Sequence, residues 1–240
     1  MPLEDCRRSD MTFYYIRHGD PIYKPDSLTE KGIIQAEALG KVMANVGLDK
    51  IYCSTSNRAM MTAEPTLKRL GMEMELLDFA NESYAYHEFN MPVDGKKRWL
   101  YQNDYARSLF CTPEIKELGF KWYDHPELKE YNYEKAMERV YNSCDELFAS
   151  LGYEHERYSG RYKVTAHNDM KVALFAHEGF GKAFFSSVFD IPYPIFCNHF
   201  HLFHTGVSVI QFKNEGGYAI PEMKRFSSTS HLFVDGLSEL

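Results

Sequence analysis

The sequence predicts an α/β sandwich built around a mainly parallel sheet. Short apolar or β-branched segments alternate with helical segments along most of the chain, and this alternation is typical of helices packed on both faces of a parallel sheet. Three polar clusters, at residues 17–20, 54–62 and 177–179, each follow a predicted strand. Ligands of open α/β sheets bind at the carboxyl ends of strands, so we expect these distant segments to share one pocket.

The N-terminal part of the chain is predicted to form a buried strand and then a capped helix. Residues 12–16 are β-branched or aromatic, as in a buried strand. Gly19 and Pro21 follow them and stop regular structure. Thr29 is the expected N-cap of the helix. Its inward face is expected to carry the apolar or small residues that recur at helical spacing. These are Ile33, Ala36, Leu39, Gly40 and Met43.

The next elements follow the same alternation. A second strand is predicted at 50–53, and Ser56 or Asn57 is expected to cap a helix that runs to about residue 70. A short third strand is predicted at 74–77.

Later segments complete the predicted sheet. From 78 to about 131 the pattern is irregular, with short helices expected at 104–110 and 113–122. The remaining predicted elements are a helix at 133–151, strands at 161–165 and 172–176, a helix ending near 189, and closing strands at 205–212 and 218–226.

Composition excludes several classes of protein. The net charge is -7, from 27 basic and 34 acidic residues, which argues against nonspecific nucleic-acid binding. The chain has five cysteines, no CxxC pair, no apolar N-terminal segment and no membrane-length apolar run. We therefore expect free thiols, no membrane association and a cytoplasmic location.

Four residues at predicted strand ends suit the binding of a phosphomonoester. Arg17 and Arg58 carry planar guanidinium groups that match phosphate oxygens. His18 and His177 take equivalent positions, where one imidazole can attack phosphorus and the other can bind an equatorial oxygen. Phosphoryl transfer needs mainly positioning and charge stabilisation, together with an acid that protonates the leaving oxygen.

These residues lie in four ordered blocks, at 16–19, 28–36, 54–63 and 177–179. Together the blocks resemble the histidine phosphatase superfamily, which has the phosphoglycerate mutase-like fold. The resemblance covers about 1–80 and 165–215, and it implies a three-layer α/β/α sandwich. It also implies phosphatase activity on a small phosphorylated substrate through a phosphohistidine, with no metal and no cofactor.

The resemblance assigns roles residue by residue. It makes His18 the nucleophile and Arg17 and Arg58 the phosphate clamps. His177 becomes the second histidine of the phosphate pocket, with a catalytic role and a phosphate-binding role.

The resemblance also points to the proton donor and to one further contact. Glu82 is the implied acid and Glu88 the alternative, since the glycine that usually follows the acid is absent. Thr205 is an implied phosphate contact.

Two departures from the family pattern favour a phosphatase over a mutase. Residues 20–24 replace a polar stretch that mutases usually carry, and Glu178 stands where a small residue or Asn is common. Its carboxylate would either repel substrate or point away and cap the next helix. Two alternatives stay open: a phosphoglycerate mutase and a catalytically idle phosphate-ligand binder. A homodimer is also left open.

The middle segment matches nothing specific. We treat 1–240 as one domain in which 83–132 is an insertion that covers the pocket and selects the organic group. Basic side chains of this segment are expected to be mainly solvated (Lys96, Lys97, Arg98 and Arg107), and its aromatic residues are expected to form mainly a local core (Trp99, Tyr101, Trp122 and Tyr123). His87, His199, His201 and His204 are expected to be loop or strand histidines at the pocket rim. His199 and His201 alternate as they would on one strand face, which could suit a metal, but no cysteine or carboxylate lies close to them in the sequence.

Overall fold

Within residues 10–234 and 236, which the computed structural model describes, an eight-stranded sheet forms the middle layer. Numbered along the chain, the strands are β1 (Thr12–Arg17), β2 (Pro21–Tyr23), β3 (Asp26–Leu28), β4 (Lys50–Ser54), β5 (Glu75–Leu77), β6 (Asn90–Val93), β7 (Lys96–Trp99), β8 (Tyr153–Glu156), β9 (Arg161–Val164), β10 (Lys171–Ala176), β11 (Val207–Glu215) and β12 (Tyr218–Ser228). The sheet order is β5-β4-β10-β1-β11-β12-β9-β8, while β2–β3 and β6–β7 form separate hairpins. β5, β4, β10 and β1 pair in parallel, and the remaining neighbours pair antiparallel. All strands of the main sheet except β11 and β9 therefore point the same way, and the predicted mainly parallel sheet is confirmed.

Helices cover both faces of the sheet. In chain order they are α1 (Glu30–Val46), α2 (Asn57–Leu70), α3 (Glu82–Glu88), α4 (Asp104–Leu109), α5 (Pro113–Leu118), α6 (Tyr133–Ser150), α7 (Glu178–Phe189), α8 (Tyr193–His199) and α9 (Ser230–Val234). Alternate residues of β1 separate two cores. Ile16 packs with apolar residues of α1 and α2, whereas Phe13 and Tyr15 pack with those of α6 and α7. The result is the three-layer arrangement that the sequence predicts.

α1 begins as predicted but is rotated slightly from the expected orientation. The Thr29 hydroxyl accepts a hydrogen bond from the Gly32 amide at 3.0 Å and so caps the helix. Four of the five residues predicted to face inward are buried (Ala36, Leu39, Gly40 and Met43). The prediction for Ile33 is wrong, because its side chain is 47% exposed. Gly32 takes the first inward position instead, since a side chain there would meet the backbone of Asp20.

Several parts of the fold were not predicted. Among them are β8, the β2–β3 and β6–β7 hairpins, α3, α9 and α8, which Pro192 precedes as N-cap. Because α8 contains His199 and ends there, while His201 follows in a loop, the expectation that both share one strand face is wrong. Short segments without clear periodicity are the ones that local sequence patterns identify least well.

The segment 83–132 contains short elements that pack against α6, α7 and α8. Trp122 is fully buried and stacks on Tyr193, with Phe110 and Tyr133 also in contact. This part of the segment is a local core, as predicted. Its assignment as an insertion stays a prediction.

Cysteines and termini complete the description. The cysteines among the described residues (Cys53, Cys111, Cys144 and Cys197) are free. The N-terminal residues for which the sequence predicts no secretory segment, and Cys6 with them, lie outside the described residues. Over the described ranges, each helix is too short or too polar to traverse a lipid bilayer.

Candidate active site

Two histidines meet where β1 and β10 end. The strands pair in parallel, with Arg17 opposite Ala176, so the residues that follow them emerge at the same edge. His18 and His177 are both buried, and their ring centroids lie 5.1 Å apart. The expectation that the polar clusters share one site is borne out by this geometry.

His18 presents a neutral imidazole with a defined tautomer. Its Nδ1 lies 2.7 Å from the carbonyl oxygen of Gly19, and because a carbonyl only accepts, Nδ1 carries the hydrogen. Burial lowers the pKa of His18 well below its usual range, and the charges of His177, Arg17 and Arg58 lower it further. In the neutral ring the Nε2 lone pair is then available to attack an electrophile.

His177 takes the opposite tautomer. Its Nδ1 lies 3.2 Å from Nη2 of Arg58, which only donates, so Nδ1 is the acceptor. Nε2 then carries the hydrogen and lies 2.7 Å from Oγ of Ser54 and 3.1 Å from Oγ of Ser56. Burial, followed by Arg58 and Arg17, holds the pKa of His177 well below its usual range.

The two serines around His177 were not predicted to be part of the site. Ser56 is the N-cap residue of α2, as predicted, but its hydroxyl makes no capping hydrogen bond and lies instead beside His177. Ser54 ends β4 and is fully buried. Their position at a predicted strand end was the only signal in the sequence that could have identified them.

Arg17 is 9% exposed and is held by several protein groups. Its Nη1 donates to the carbonyl of Leu202 and lies 2.9 Å from Oε2 of Glu178. Its Nη2 lies 2.8 Å from Nε2 of His204, which must accept. The Nε–H is buried and has no acceptor among the described residues.

Arg58 is 8% exposed and has an equivalent set of partners. Nη1 pairs with Oδ1 of Asp26 at 2.7 Å, and Nη2 donates to His177. Asp26 belongs to the β2–β3 hairpin, and its other carboxylate oxygen accepts from the Asn57 amide at 2.8 Å. Here too the Nε–H is buried, and none of the residues that the structure describes accepts from it. Asp26 was not predicted as a site residue, because nothing in a local motif indicates a hairpin that folds back onto α2.

Glu82 lies at the start of α3 and reaches the first turn of α7. Its two carboxylate oxygens accept from the backbone amides of Gly179 and Phe180, each at 3.0 Å. Burial raises the pKa of Glu82 to about 7, although the two amides, Arg58 and Arg17 act in the opposite direction. A carboxyl group with this pKa can exchange a proton at neutral pH.

Glu88, the alternative acid, lies at the other end of α3. Its carboxylate oxygens accept from Nε and Nη2 of Arg139 at 2.6 and 2.5 Å. This bidentate pair uses both oxygens of Glu88, whereas Glu82 contacts the amides that follow His177 and Glu178. The assignment of the acid stays a prediction.

Thr205 supports His18 through its backbone. Its amide donates to the carbonyl of His18 at 3.2 Å, and its φ of 54° is unusual for a β-branched residue. Its hydroxyl donates to the carbonyl of His204 at 2.7 Å and lies 3.0 Å from Nε2 of His231. The structure thus directs this hydroxyl to protein groups, and its contact with phosphate stays a prediction.

Glu178 neither points away nor lies free in the pocket. It is 5% exposed and lies 2.9 Å from Arg17, 2.8 Å from Nδ1 of His201 and 3.4 Å from Nζ of Lys182. Burial opposes its ionisation, but the hydrogen bond from His201 and the charges of Arg17 and Lys182 hold its pKa at about 2. Glu178 is therefore ionised and paired.

The described residues contain no group of three or more His, Cys, Asp or Glu side chains arranged to hold a metal ion.

Comparison with known proteins agrees with the fold. The sequence model of the histidine phosphatase superfamily (branch 1) matches residues 13–92. The adenosylcobalamin/alpha-ribazole phosphatase of Salmonella typhimurium is 32% identical over 83 residues, which are 31% of this chain and 41% of that protein. The chain therefore matches less than half the length of this relative.

Solved structures resemble the whole fold. Phosphoserine phosphatase from Entamoeba histolytica, in complex with 3-phosphoglyceric acid, aligns with a TM-score of 0.60 at 17% identity, covering 92% of this chain and 99% of that one. A putative alpha-ribazole-5'-P phosphatase from Escherichia coli aligns with a TM-score of 0.59 at 18% identity, covering 92% and 98%. Mycobacterial glucosyl-3-phosphoglycerate phosphatase, complexed with VO3, aligns with a TM-score of 0.57 at 16% identity, covering 90% and 99%. At these identities the likeness concerns the fold.

The fold is thus that of the phosphoglycerate mutase-like α/β proteins. Over residues 13–92 the chain is similar to the histidine phosphatase superfamily, branch 1.

Proposed function

We propose that this protein hydrolyses small phosphomonoesters in two steps through a phosphohistidine on His18. The observation that carries the proposal is the pair of buried arginines, Arg17 and Arg58, which flank two neutral histidines. Within the described part of the chain, the Nε–H of each arginine has no acceptor. A buried unpaired donor costs about 1–3 kcal/mol, and a phosphate oxygen at each would remove that cost.

In the first step Nε2 of His18 attacks the phosphorus. The N–P bond forms as the ester P–O bond breaks, and the Glu82 carboxyl gives its proton to the departing alkoxide. Arg17, Arg58 and His177 bind the phosphoryl oxygens, where charge must be stabilised. Because His177 holds its Nε2–H toward Ser54, we infer that it releases that hydrogen bond, or changes tautomer, to donate to an oxygen.

In the second step the Glu82 carboxylate takes a proton from water, and the water oxygen attacks phosphorus. The N–P bond breaks, its electron pair returns to Nε2 of His18, and inorganic phosphate leaves. Glu82 is again protonated, so the cycle closes with no net change in the protein. Each of these steps is accomplished by side chains of this chain, and the scheme invokes neither a metal nor a cofactor.

Relatives support a phosphatase of this general kind. The similar proteins named above are phosphatases of alpha-ribazole phosphate, phosphoserine and glucosyl-3-phosphoglycerate according to their names. We extend only the reaction class to this chain. We propose the segment 83–132 as an inserted cap. Its Trp99 ring packs directly on Gly179, so closely that a side chain at Gly179 would meet the ring, and Gly179 lies two residues after His177. The segment is therefore in a position to select the organic group.

The test is phosphate release from 4-nitrophenyl phosphate in the presence of a chelator. We expect turnover by the natural sequence and its loss in His18→Ala, with the folded state checked by thermal melting. Protein incubated with substrate that is labelled in the phosphoryl group, and then denatured at alkaline pH, should carry phosphate on His18 that is stable in base and labile in acid. Full turnover by His18→Ala would refute the mechanism. Conversion of 3-phosphoglycerate into 2-phosphoglycerate, instead of phosphate release, would identify a mutase.

A further inference from the structure

The loop between α8 and β11 holds Arg17 by both its backbone and its side chain. The amide of Arg17 donates to the carbonyl of Gly206 at 3.3 Å. The guanidinium group donates from Nη1 to the carbonyl of Leu202, and its Nη2 lies 2.8 Å from Nε2 of His204. Of these three loop residues, His204 is the one that takes part through its side chain. A substitution there can therefore remove one contact of Arg17 and leave the two backbone contacts in place.

His204 presents a neutral imidazole to Arg17. The pKa of His204 is lowered to about 4, first by burial and then by the charge of Arg17, with Asp20 and Glu178 acting in the opposite direction. Because Nη2 of Arg17 can only donate, Nε2 of His204 is the acceptor and Nδ1 carries the hydrogen. Nδ1 lies 3.6 Å from Oδ1 of Asp20. The tautomer that Arg17 requires is therefore the one that the Asp20 carboxylate favours.

Asp20 is itself fixed by the start of α1. Its Oδ2 accepts from the hydroxyl of Thr29, the N-cap residue of α1, at 2.7 Å. Its amide donates to Oε1 of the buried Gln35 at 2.9 Å. A carboxylate beside the second nitrogen of a functional imidazole sets the tautomer and the orientation of the ring. These contacts therefore connect the N-cap of α1, through Asp20 and His204, to the group that we propose as a phosphate clamp.

The contact with His204 determines where the guanidinium group of Arg17 points. A guanidinium group is planar, so contacts on two different nitrogens fix its orientation. Nη1 of Arg17 contacts Leu202 and Glu178, and the contact of Nη2 with His204 is on the other nitrogen. The Nε–H, which has no acceptor among the described residues, then has a single direction. Without the contact at Nη2 the group could turn about Nη1, and the proposed donor to a phosphate oxygen would lose its direction.

We propose that His204 is a positioning residue of the candidate active site, which sets the orientation of the Arg17 guanidinium and is itself oriented by Asp20. The inference rests on the proposed function and adds a residue to which the sequence assigned only a place at the pocket rim. The rings of His204 and His18 lie close together, with centroids 5.7 Å apart. His204 nevertheless acts through Arg17 and takes no part in proton transfer, because its Nε2 is occupied by the guanidinium.

The test compares two substitutions of His204 that differ in whether they provide an acceptor. Phenylalanine keeps a planar ring but accepts no hydrogen bond, whereas the amide oxygen of glutamine can take the place of Nε2. We expect His204→Phe to lower kcat/KM for 4-nitrophenyl phosphate by about 10–100-fold, the loss that follows from one hydrogen bond to a charged group. His204→Gln should recover most of this loss.

A role of His204 in packing alone predicts the opposite order of activity. Phenylalanine would then be the better replacement, so kcat/KM in His204→Phe that equals or exceeds that in His204→Gln would overturn the proposal. His167→Phe is the matched control and should leave kcat/KM unchanged, because His167 is also half-buried but precedes β10, whose other end leads to His177. Thermal melting checks the folded state. Should His204→Phe fail to melt cooperatively, His204→Leu, which also lacks an acceptor, replaces it in the comparison.

Asp20→Asn tests the outer contact. The asparagine amide can turn an N–H group toward Nδ1 of His204, and this would favour the tautomer that cannot accept from Arg17. We expect kcat/KM to fall when Asp20→Asn is made in the natural sequence and to stay unchanged when it is added to His204→Gln, which has no tautomer to set. An equal effect in both backgrounds, whether a loss or none, would overturn the role of Asp20.

The proposed function and the role of His204 can fail separately. Absence of phosphate release by the natural sequence from 4-nitrophenyl phosphate and from alkyl phosphates would refute the proposed function. Calorimetric titration with inorganic phosphate would then decide the role of His204 by affinity alone. Weaker binding in His204→Phe that is restored in His204→Gln would support it, and equal binding in the two variants, or no detectable binding by the natural sequence, would reject it.

Discussion

Replacement of Glu82 by glutamine tests the proton transfer at the centre of the proposed mechanism. Glutamine keeps the size of the side chain and can still accept from one of the two α7 amides, but it cannot give a proton to the leaving oxygen. The pKa of Glu82 is raised to about 7 by burial. Attack by His18 needs Glu82 in its acid form, so kcat/KM should fall as the pH rises through that value.

The magnitude follows from this pKa. With a pKa of about 7, roughly nine-tenths of Glu82 is protonated at pH 6 and roughly one-tenth at pH 8. We therefore expect kcat/KM for an alkyl phosphate to fall about tenfold between pH 6 and pH 8. Glu82→Gln should lower it by about 10²–10⁴-fold, the usual contribution of general acid catalysis, and the fall with pH should disappear. For 4-nitrophenyl phosphate, whose leaving group needs little protonation, the loss should be much smaller.

The assay is continuous phosphate release for both substrates from pH 5 to pH 9. Glu88→Gln is the matched control, since Glu88 lies on the same helix but pairs with Arg139. It should keep the pH profile of the natural sequence and lose only some stability. The acid role would be refuted if Glu82→Gln lost activity equally with alkyl and aryl substrates. It would also be refuted if kcat/KM of that variant still fell at high pH, on the basic limb of the profile. Loss of the limb in Glu88→Gln instead would transfer that role to Glu88.

Two further predictions concern residues that hold the site in place. Asp26→Ala removes the carboxylate that pairs with Arg58. Since this carboxylate is one-third exposed, we expect KM for 4-nitrophenyl phosphate to rise only about fivefold. Asp124→Ala, at an exposed aspartate, is the control and should leave KM unchanged, whereas an unchanged KM in Asp26→Ala would show that Asp26 is not needed to position Arg58. His155 is enclosed between two aspartates at 3.0 and 3.1 Å; burial lowers its pKa, but the hydrogen bonds to those carboxylates outweigh burial and raise it overall. The stability it contributes is therefore complete below the unfolded-state pKa and is lost as the pH rises through the higher folded-state value. Urea unfolding should accordingly show that His155→Gln costs about 3 kcal/mol at pH 6 and clearly less at pH 9, and an equal cost at both values would refute a charged imidazole.

The parts of the site that sequence alone could predict are those fixed by strand ends. A buried strand is recognisable from its apolar run, and the residue that follows it is placed by the geometry of a parallel sheet. Arg17, His18 and His177 therefore come together as expected, and Arg58 joins them from the first turn of α2.

Other parts of the site depend on contacts that no local pattern encodes. Asp26 reaches Arg58 because a short hairpin folds back over α2, and His204 meets Arg17 because a loop returns after α8. The two histidine tautomers follow from single hydrogen-bond partners, Gly19 for His18 and Arg58 for His177. Each of these is a tertiary contact between residues whose types have no special spacing.

The paired arginines change how the pocket should attract a dianion. Arg17 is balanced by Glu178 and Arg58 by Asp26, while both histidines have lowered pKa values and are neutral. The site therefore has little net positive charge, although we propose that it binds phosphate. On that proposal, binding comes from oriented donors, chiefly the two Nε–H groups, which have no acceptor among the described residues. Such fixed donors can be placed where charge develops in the transition state and need no reorganisation at that moment. From the sequence, Glu178 was expected either to repel substrate or to cap the next helix. In the structure it pairs with Arg17, the residue that we propose as a phosphate clamp. By neutralising Arg17, Glu178 also lowers the net positive charge, which would attract the substrate and the released inorganic phosphate equally.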